Sequence, residues 1–339
     1  MLSKEQFNEQ CVGKIICGDA LTVLKTLPDE VFNCCITSPP YWGLRDYEIE
    51  GQIGLEKTPE EYIYKLLMIF KEVKRVLRKD GTLWLNISDT YYGGGWRSSK
   101  FPEGSKQATN KGALRCEFIP KQPPHPVIKS KDLCLIPQNL VISLQFDGWY
   151  IRSDIIWAKS NPMPESCTDR PTRSYEHLFL LSKSPDYYYD QIFEPLAQNS
   201  DMAYRRSLRV GRKYGVKRPY ADNQPLTYGK SPTQTNGVKN RRDVWTINNK
   251  NSGCEHIATF PPELIEPCII AGCPEGGIVL DCFMGSGTVA KVALANRRNF
   301  TGIELNPKYI QDIANFRVKE FETGVPAKQL KKGQLALYE

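Results

Sequence analysis

From Ile278 to Glu304 the chain reads as an apolar strand, a glycine-bearing turn, a short helix and a second strand that ends on an acid. Ile278-Val279-Leu280 is short and β-branched, and Asp281-Cys282-Phe283-Met284-Gly285-Ser286-Gly287-Thr288 interrupts it with two glycines. Val289, Ala290, Val292, Ala293 and Leu294 resume as a helix. Two strands joined through a helix close as a parallel crossover, so this unit commits the chain to an α/β sheet. Glycines let a backbone approach a ligand, and a helix start favours negative charge such as a carboxylate. Glu304 follows the turn by about twenty positions, an offset suited to binding the two hydroxyls of a ribose. The turn is Gly-Ser-Gly, short of the dinucleotide fingerprint and without the lysine of a P-loop. It predicts a nucleoside half-site; a glycine turn with nothing bound is the plain alternative.

A second strand-to-turn junction lies near the other end. Val31-Phe32-Asn33-Cys34-Cys35-Ile36 runs into Thr37-Ser38-Pro39-Pro40-Tyr41-Trp42, where two prolines cannot continue a ladder. The turn brings a hydroxyl (Ser38), a carbonyl fixed by the following proline (Pro39) and an aromatic ring (Tyr41) to a strand's C-terminal edge. Open α/β sheets bind ligands at that edge. Taken alone, the stretch is equally a Pro-Pro turn with an aromatic packed beside it.

Between these junctions the elements alternate. Gly13 to Asp19 reads as a short strand ending in a turn with a free carboxylate, and Ala20 to Leu27 as a small amphipathic helix. Thr58-Pro59-Glu60-Glu61 is a strong helix start, and Leu66, Ile69, Phe70, Val73, Val76 and Leu77 recur at helical spacing up to a stop expected at Gly81. Strands are predicted over Thr82–Ile87, Tyr150–Trp157 and His177–Leu181, and helices near Pro137–Phe146 and from Pro262 to about Cys273.

Two stretches break the pattern. Residues 91–131 lack any period and read as a mobile loop inserted at the suspected edge. From Asp201 to Lys250 there are twelve Lys/Arg against three Asp, while the rest of the chain is close to neutral. Tyr204, Tyr214, Tyr220, Tyr228 and Trp245 are interleaved there, a mixture that suits phosphate contacts and stacking better than a core. The predicted polyanion contacts are Arg205, Arg206, Arg212, Lys213, Lys217, Arg218, Arg241 and Arg242. A solvated basic loop is the bland alternative. The expected organisation is a discontinuous catalytic domain (1–187 and 252–325), a basic recognition region (188–251) and a C-terminal tail (326–339).

Composition excludes other classes. No apolar run approaches a membrane span and the start lacks a signal-peptide pattern, so a soluble intracellular protein is expected. Eleven cysteines without a Cys-x-x-Cys pair read as reduced, mostly buried thiols. Three scattered histidines argue against a zinc site, and no metal is expected.

In their joint order, these motifs resemble the S-adenosylmethionine-dependent DNA amino-methyltransferases of the permuted β arrangement, in which the catalytic motif precedes the cofactor motif. The stretches that carry the resemblance are Thr37–Trp42, Arg173–Ser184, Val244-Trp245, His256–Pro261, Asp281–Thr288 and Thr301–Asn306. The resemblance implies a Rossmann-like methyltransferase sheet, circularly permuted, with an inserted target-recognition region. It implies S-adenosyl-L-methionine as cofactor, held by Asp281, Phe283, Gly285, Ser286, Gly287 and Thr288, with Glu304 on the ribose hydroxyls. Asp19 would face the adenine amino group, and Phe260 and Pro261 would close over the cofactor. Cys282 stands where that family more often has proline, and Val289 where it usually has threonine.

The chemistry that follows is methyl transfer to an exocyclic amino group of double-stranded DNA. An amino nitrogen conjugated to a ring is a poor nucleophile. If Ser38 Oγ and the Pro39 carbonyl accept its two N–H bonds, it pyramidalises and aims its lone pair outwards. Pro40 keeps the turn rigid, and Tyr41 would stack on the base once that base leaves the duplex. Trp42 either assists or packs. No cysteine nucleophile is required; Pro267-Cys268 lies in an apolar helical pattern and reads as core. Serine before Pro-Pro-Tyr is commoner among cytosine-N4 enzymes and aspartate among adenine-N6 enzymes, so cytosine N4 is the first expectation and adenine N6 the alternative. An RNA methyltransferase or a non-catalytic DNA-binding relative is a more distant reading. A cognate restriction enzyme is a possible partner.

Overall fold

The structure, a computed structural model, describes residues 1–44, 46–93, 122–162, 164–165, 167–195, 238–248, 260–325 and 327–331. The chain divides into two compact units, Met1–Asp190 with Asp243–Glu339, and Gln191–Arg242.

The larger unit is built on an eight-stranded sheet. In chain order its strands are β1 (Lys14–Cys17), β2 (Phe32–Thr37), β3 (Leu77–Ile87), β4 (Tyr150–Ala158) and β5 (Tyr175–Ser182), followed by β8 (Val244–Thr246), β9 (Ile278–Asp281) and β10 (Asn299–Glu304). In space they run β1-β10-β9-β2-β3-β5-β4-β8, parallel from β1 to β3 and antiparallel where β5 meets β3 and β4. One face carries the helices α2 (Ala20–Thr26), α3 (Pro59–Val76) and α4 (Ile136–Phe146); the other carries α5 (Pro262–Gly272), α6 (Thr288–Ala295) and α8 (Asn315–Thr323). The remaining helical pieces are α1 (Lys4–Gln10), α7 (Pro307–Tyr309), a π-helical turn (Ile310–Ala314) and α9 (Ala327–Lys331).

From β9 the chain moves through α6 outward to β10, and from β2 it moves through α3 in the opposite direction to β3. The strand order therefore reverses between β9 and β2, which opens a crevice at their C-terminal ends. The N-terminal and C-terminal motifs occupy those two adjacent strands.

Local chemistry explains the elements. Helix α3 starts as expected: Thr58 caps it through its side chain to the Glu61 N–H, with Pro59 at the first position and Glu60 and Glu61 in the first turn. Its buried face is Tyr62, Leu66, Ile69, Phe70, Val73 and Val76. Gly81 is not its stop. The helix ends at Val76, and the chain passes straight into β3, in which Gly81 is an internal residue. A Cβ at Gly81 would meet the Arg78 carbonyl at 3.0 Å and the Asn33 carbonyl at 3.2 Å. The glycine is needed where the β2–β3 register shifts between Phe32 and Cys34 and backbones crowd.

The core of this unit combines Phe7, Leu24, Phe32, Phe70, Leu83, Leu85 and Leu181. No helix among the described residues is long and apolar enough to cross a membrane. Nine described cysteines are free thiols, and Cys268 is fully buried in α5.

The described part of the smaller unit is a two-stranded antiparallel pair, β6 (Phe193–Pro195) and β7 (Val238–Asn240). There Glu194 Oε1 pairs with Arg242 Nε at 2.6 Å and with Lys239 Nζ at 3.1 Å. Val244 and Trp245, expected in the recognition region, instead pair with Ile156 and Trp157 in the main sheet. The predicted contacts Arg205, Arg206, Arg212, Lys213, Lys217 and Arg218 lie outside the described residues, as do 94–121 of the expected loop, His256 and 332–339 of the tail.

Candidate active site

Thr37, the last residue of β2, donates its hydroxyl to Asp281 Oδ1 at 2.7 Å; Asp281 is the last residue of β9. The same oxygen accepts the Phe283 N–H at 3.0 Å. This clamp ties the proline turn to the glycine turn at the mouth of the crevice, so Ser38 and Phe283 leave neighbouring strands side by side. Asp281 is almost fully buried, and burial pushes its pKa up to about 7; the Thr37 and Phe283 hydrogen bonds pull against that rise and the Glu304 charge adds to it.

Glu304 ends β10, next to β9. Its Oε2 accepts the Gly285 N–H at 2.7 Å and its Oε1 the Asn306 N–H at 2.8 Å. Burial also raises its pKa. Gly285 and Gly287 hold positive φ of 51° and 77°, and a Cβ on Gly287 would meet the Ala314 backbone at 3.2 Å. Ser286 and Thr288, expected at the cofactor, accept the Arg317 guanidinium N–H on their hydroxyl oxygens at 2.9 and 3.0 Å.

Asp19 lies beside Glu304 because β1 pairs Cys17 with Glu304 and the next N–H, Gly18, donates to the Glu304 carbonyl at 3.0 Å. One oxygen of its carboxylate is engaged: Oδ1 caps α2 through the Thr22 N–H at 2.9 Å and the Thr22 hydroxyl at 2.7 Å. The strand ends directly in a helix, and an aspartate there meets the unpaired N–H groups of the first turn. Pro261 is the cap residue of α5. A Cβ on Gly272, at the far end of α5, would meet Cys34 in the first half of β2 and Thr82 and Trp84 in β3. The helix runs against the strands, so Phe260 and Pro261 arrive at their C-terminal ends.

Three acidic side chains, two of them desolvated above their usual pKa, thus surround a glycine turn at a switch point. They fit a nucleoside cofactor that carries a positive charge, because a cation offsets the desolvation of the buried carboxylates and the repulsion between Asp281 and Glu304.

The proline turn is held from several sides. The Tyr62 hydroxyl donates to the Pro40 carbonyl at 2.7 Å. Trp42 is 2% exposed, donates its indole N–H to the Glu56 carbonyl at 2.9 Å and stacks on Tyr92. It packs. The Tyr41 hydroxyl donates to Glu176 Oε2 at 2.6 Å, lies 3.1 Å from Asn86 Oδ1 and receives the Ser38 hydroxyl at 3.3 Å. Burial, and then the Glu176 carboxylate, push the Tyr41 phenol well above its ordinary pKa, so it stays neutral. Glu176 Oε1 is ion-paired with Lys159, whose ammonium lies 4.5 Å from the Trp157 ring centre.

Asn86, Glu176 and Lys159 were not among the residues expected from sequence. Glu176 carried a signal, an acid opening an otherwise apolar strand. Asn86 and Lys159 carried none, because their role depends on which strands are neighbours.

A doubly wound sheet with a nucleoside turn and a proline-locked hydroxyl at its switch point defines a group-transfer enzyme. The DNA methylase family matches residues 32–315, and the chain belongs to it: an S-adenosylmethionine-dependent DNA amino-methyltransferase of the N4/N6 group. The Type II methyltransferase M.XycI of Xanthomonas campestris pv. cyanopsidis is 45% identical over 294 residues, 86% of this chain and 83% of its own. M.Cfr9I of Citrobacter freundii is 44% identical over 308 residues, 91% of this chain and 88% of its own. Among solved structures, the cytosine-N4-specific PvuII DNA methyltransferase covers 95% of this chain and 93% of its own, with a TM-score of 0.57 at 16% identity. TTHA0409 of Thermus thermophilus, solved with S-adenosyl-L-methionine, gives 0.55 at 20% identity, covering 93% and 96%. At these identities the two structures speak to the fold alone.

Proposed function

We propose that the chain methylates cytosine N4 at a specific site in duplex DNA, and that it is the protective half of a restriction-modification pair. The Thr37–Asp281 hydrogen bond carries this reading, since it joins the motif expected to hold the base to the motif expected to hold the cofactor. Ser38 before Pro-Pro-Tyr supports the choice of cytosine N4, and the Type II names of the relatives support the restriction-modification role.

The cofactor, when bound, supplies a methyl group on a positively charged sulfur. Glu304 would hold its ribose hydroxyls, and the backbone of Phe283 to Gly287 would line its methionine portion. Asp281 would carry the negative charge nearest that portion, and Phe260 with Pro261 would cover it. The Ser38 hydroxyl points its proton at Tyr41, so its lone pairs are free to accept one N–H of the extruded base's amino group. The Pro39 carbonyl would accept the other, Pro40 being committed to Tyr62. Held by both, the nitrogen presents its lone pair in line with the methyl group, which is catalysis by placement. The Tyr41 ring would support the base from one face.

Incubation with labelled cofactor and duplex DNA, followed by digestion to nucleosides and mass identification, tests this. N4-methylcytosine is the expected product, and N6-methyladenine would overturn the base assignment. Ser38→Ala is expected to keep cofactor binding while turnover falls by about two orders of magnitude or more. Near-normal turnover would remove Ser38 from the mechanism.

A further inference from the structure

The stacking role uses only the ring of Tyr41, yet its hydroxyl meets three polar side chains. Ser38 Oγ donates to it at 3.3 Å, and it donates to Glu176 Oε2 at 2.6 Å, with Asn86 Oδ1 at 3.1 Å. A phenol has one proton, and the shorter contact assigns it to the carboxylate. The hydroxyl protons therefore all point one way, from Ser38 to Tyr41 to Glu176. Glu176 is a buried carboxylate, and Asn86 Nδ2 also donates to its Oε2 at 3.2 Å. The 3.3 Å step is long for two hydroxyls, as catalytic hydrogen bonds often are before substrate arrives.

We propose that Ser38, Tyr41 and Glu176 form the exit path for the proton that the amino nitrogen must lose when it is methylated, with the Glu176 carboxylate as the terminus. This rests on the reading of Ser38 given above. As the nitrogen forms its new N–C bond, the C–S bond breaks and its electron pair stays on sulfur. The nitrogen then holds one proton too many. That proton passes to Ser38 Oγ, the Ser38 proton to the Tyr41 oxygen, and the Tyr41 proton to Glu176, which ends as a neutral acid and returns the proton to solvent. A four-bonded nitrogen conjugated to a ring is a strong acid, so a carboxylate is base enough to end the path. Tyr41, kept neutral by burial, relays the proton without storing charge. Glu176 does not touch the base; it acts through Tyr41.

Single-turnover methylation by the full chain tests the path, on a duplex carrying the target site read from its modified DNA. Tyr41→Phe keeps the ring and removes the relay. Glu176→Gln keeps an acceptor for the phenol and removes the proton sink. Each is expected to slow methyl transfer by at least about tenfold, and the double variant to be no slower than Tyr41→Phe, because both break one path. Extrusion of 2-aminopurine placed at the target base, read by fluorescence, and cofactor binding should stay at wild-type levels in both. Wild-type rates in Tyr41→Phe would overturn the proposal. So would a normal rate in Glu176→Gln, which reduces Glu176 to holding Tyr41 in place, or slowing that multiplies in the double variant. Ser38→Ala at normal speed sinks the reading of Ser38 itself; slow Ser38→Ala beside normal Tyr41→Phe sinks the exit path alone. If Glu176→Gln fails to give a wild-type melting curve, Tyr41→Phe, which changes only a hydroxyl, carries the test.

Discussion

Asp281 is where one side chain serves the fold and the chemistry in opposition. As a charged group it is penalised by burial, which places its pKa near 7, against an ordinary value of 3.8. A folded pKa above the unfolded one means that the native state holds the proton more tightly. The resulting stability is complete below about pH 4 and is lost as pH rises through 7. Across that window the loss is on the order of 4 kcal/mol, and Asp281→Asn is expected to flatten it, as urea unfolding at about pH 5 and about pH 8 will show. The ionised form is also the one that welcomes a cation. Binding of S-adenosyl-L-methionine should therefore tighten from about pH 6 to about pH 8 in the wild type and lose that dependence in Asp281→Asn, measured by calorimetry without turnover.

At the scale of elements, α4 shows how a helix can be capped from elsewhere in the chain. Its own cap position, Leu135, sits in the left-handed region at φ 54° and offers no side-chain acceptor. Asp89, just beyond β3, takes the Leu135 and Ile136 N–H groups at 2.9 and 3.1 Å. Asp89→Ala should cost about 1–2 kcal/mol, the usual effect of a lost cap, read as a lower urea midpoint. Gly287→Ala, forced to φ 77° and against the Ala314 backbone, should destabilise the turn by about 1–2 kcal/mol and weaken cofactor binding. These two residues mark what the sequence could and could not reveal. The glycine turn, the capped start of α3 and the Pro-Pro stop of β2 are written in neighbouring residues, so periodicity and turn chemistry found them. The abrupt passage from α3 into β3 was hidden, because the work Gly81 does depends on β2 lying against it. The same holds for Asn86, which meets Tyr41, and for Lys159, which meets Glu176, only once β3, β5 and β4 are side by side. Asp19 was legible in part: the sequence shows a carboxylate at a strand end, but not that the adjoining helix takes one of its oxygens, Oδ1, as a cap.

For the molecule as a whole, charge and connectivity set the expectations. Arg242 and Lys239 share Glu194, which matches part of the positive charge of the smaller unit locally. Replacing Arg241 and Arg242 together by glutamine is expected to weaken duplex binding and to flatten the slope of log affinity against log salt by about one to two; an unchanged slope would move DNA contact to other residues. Connectivity has a different consequence. The Thr37–Asp281 clamp spans 244 positions of chain, and β1 finds its partner only in β10. A ribosome must release the chain through Asp281 before the two turns can meet, so the first 280 residues are synthesised without a working centre. A chain cut before β9 lacks the partner of the proline turn and is expected to methylate nothing, whatever its first 277 residues do.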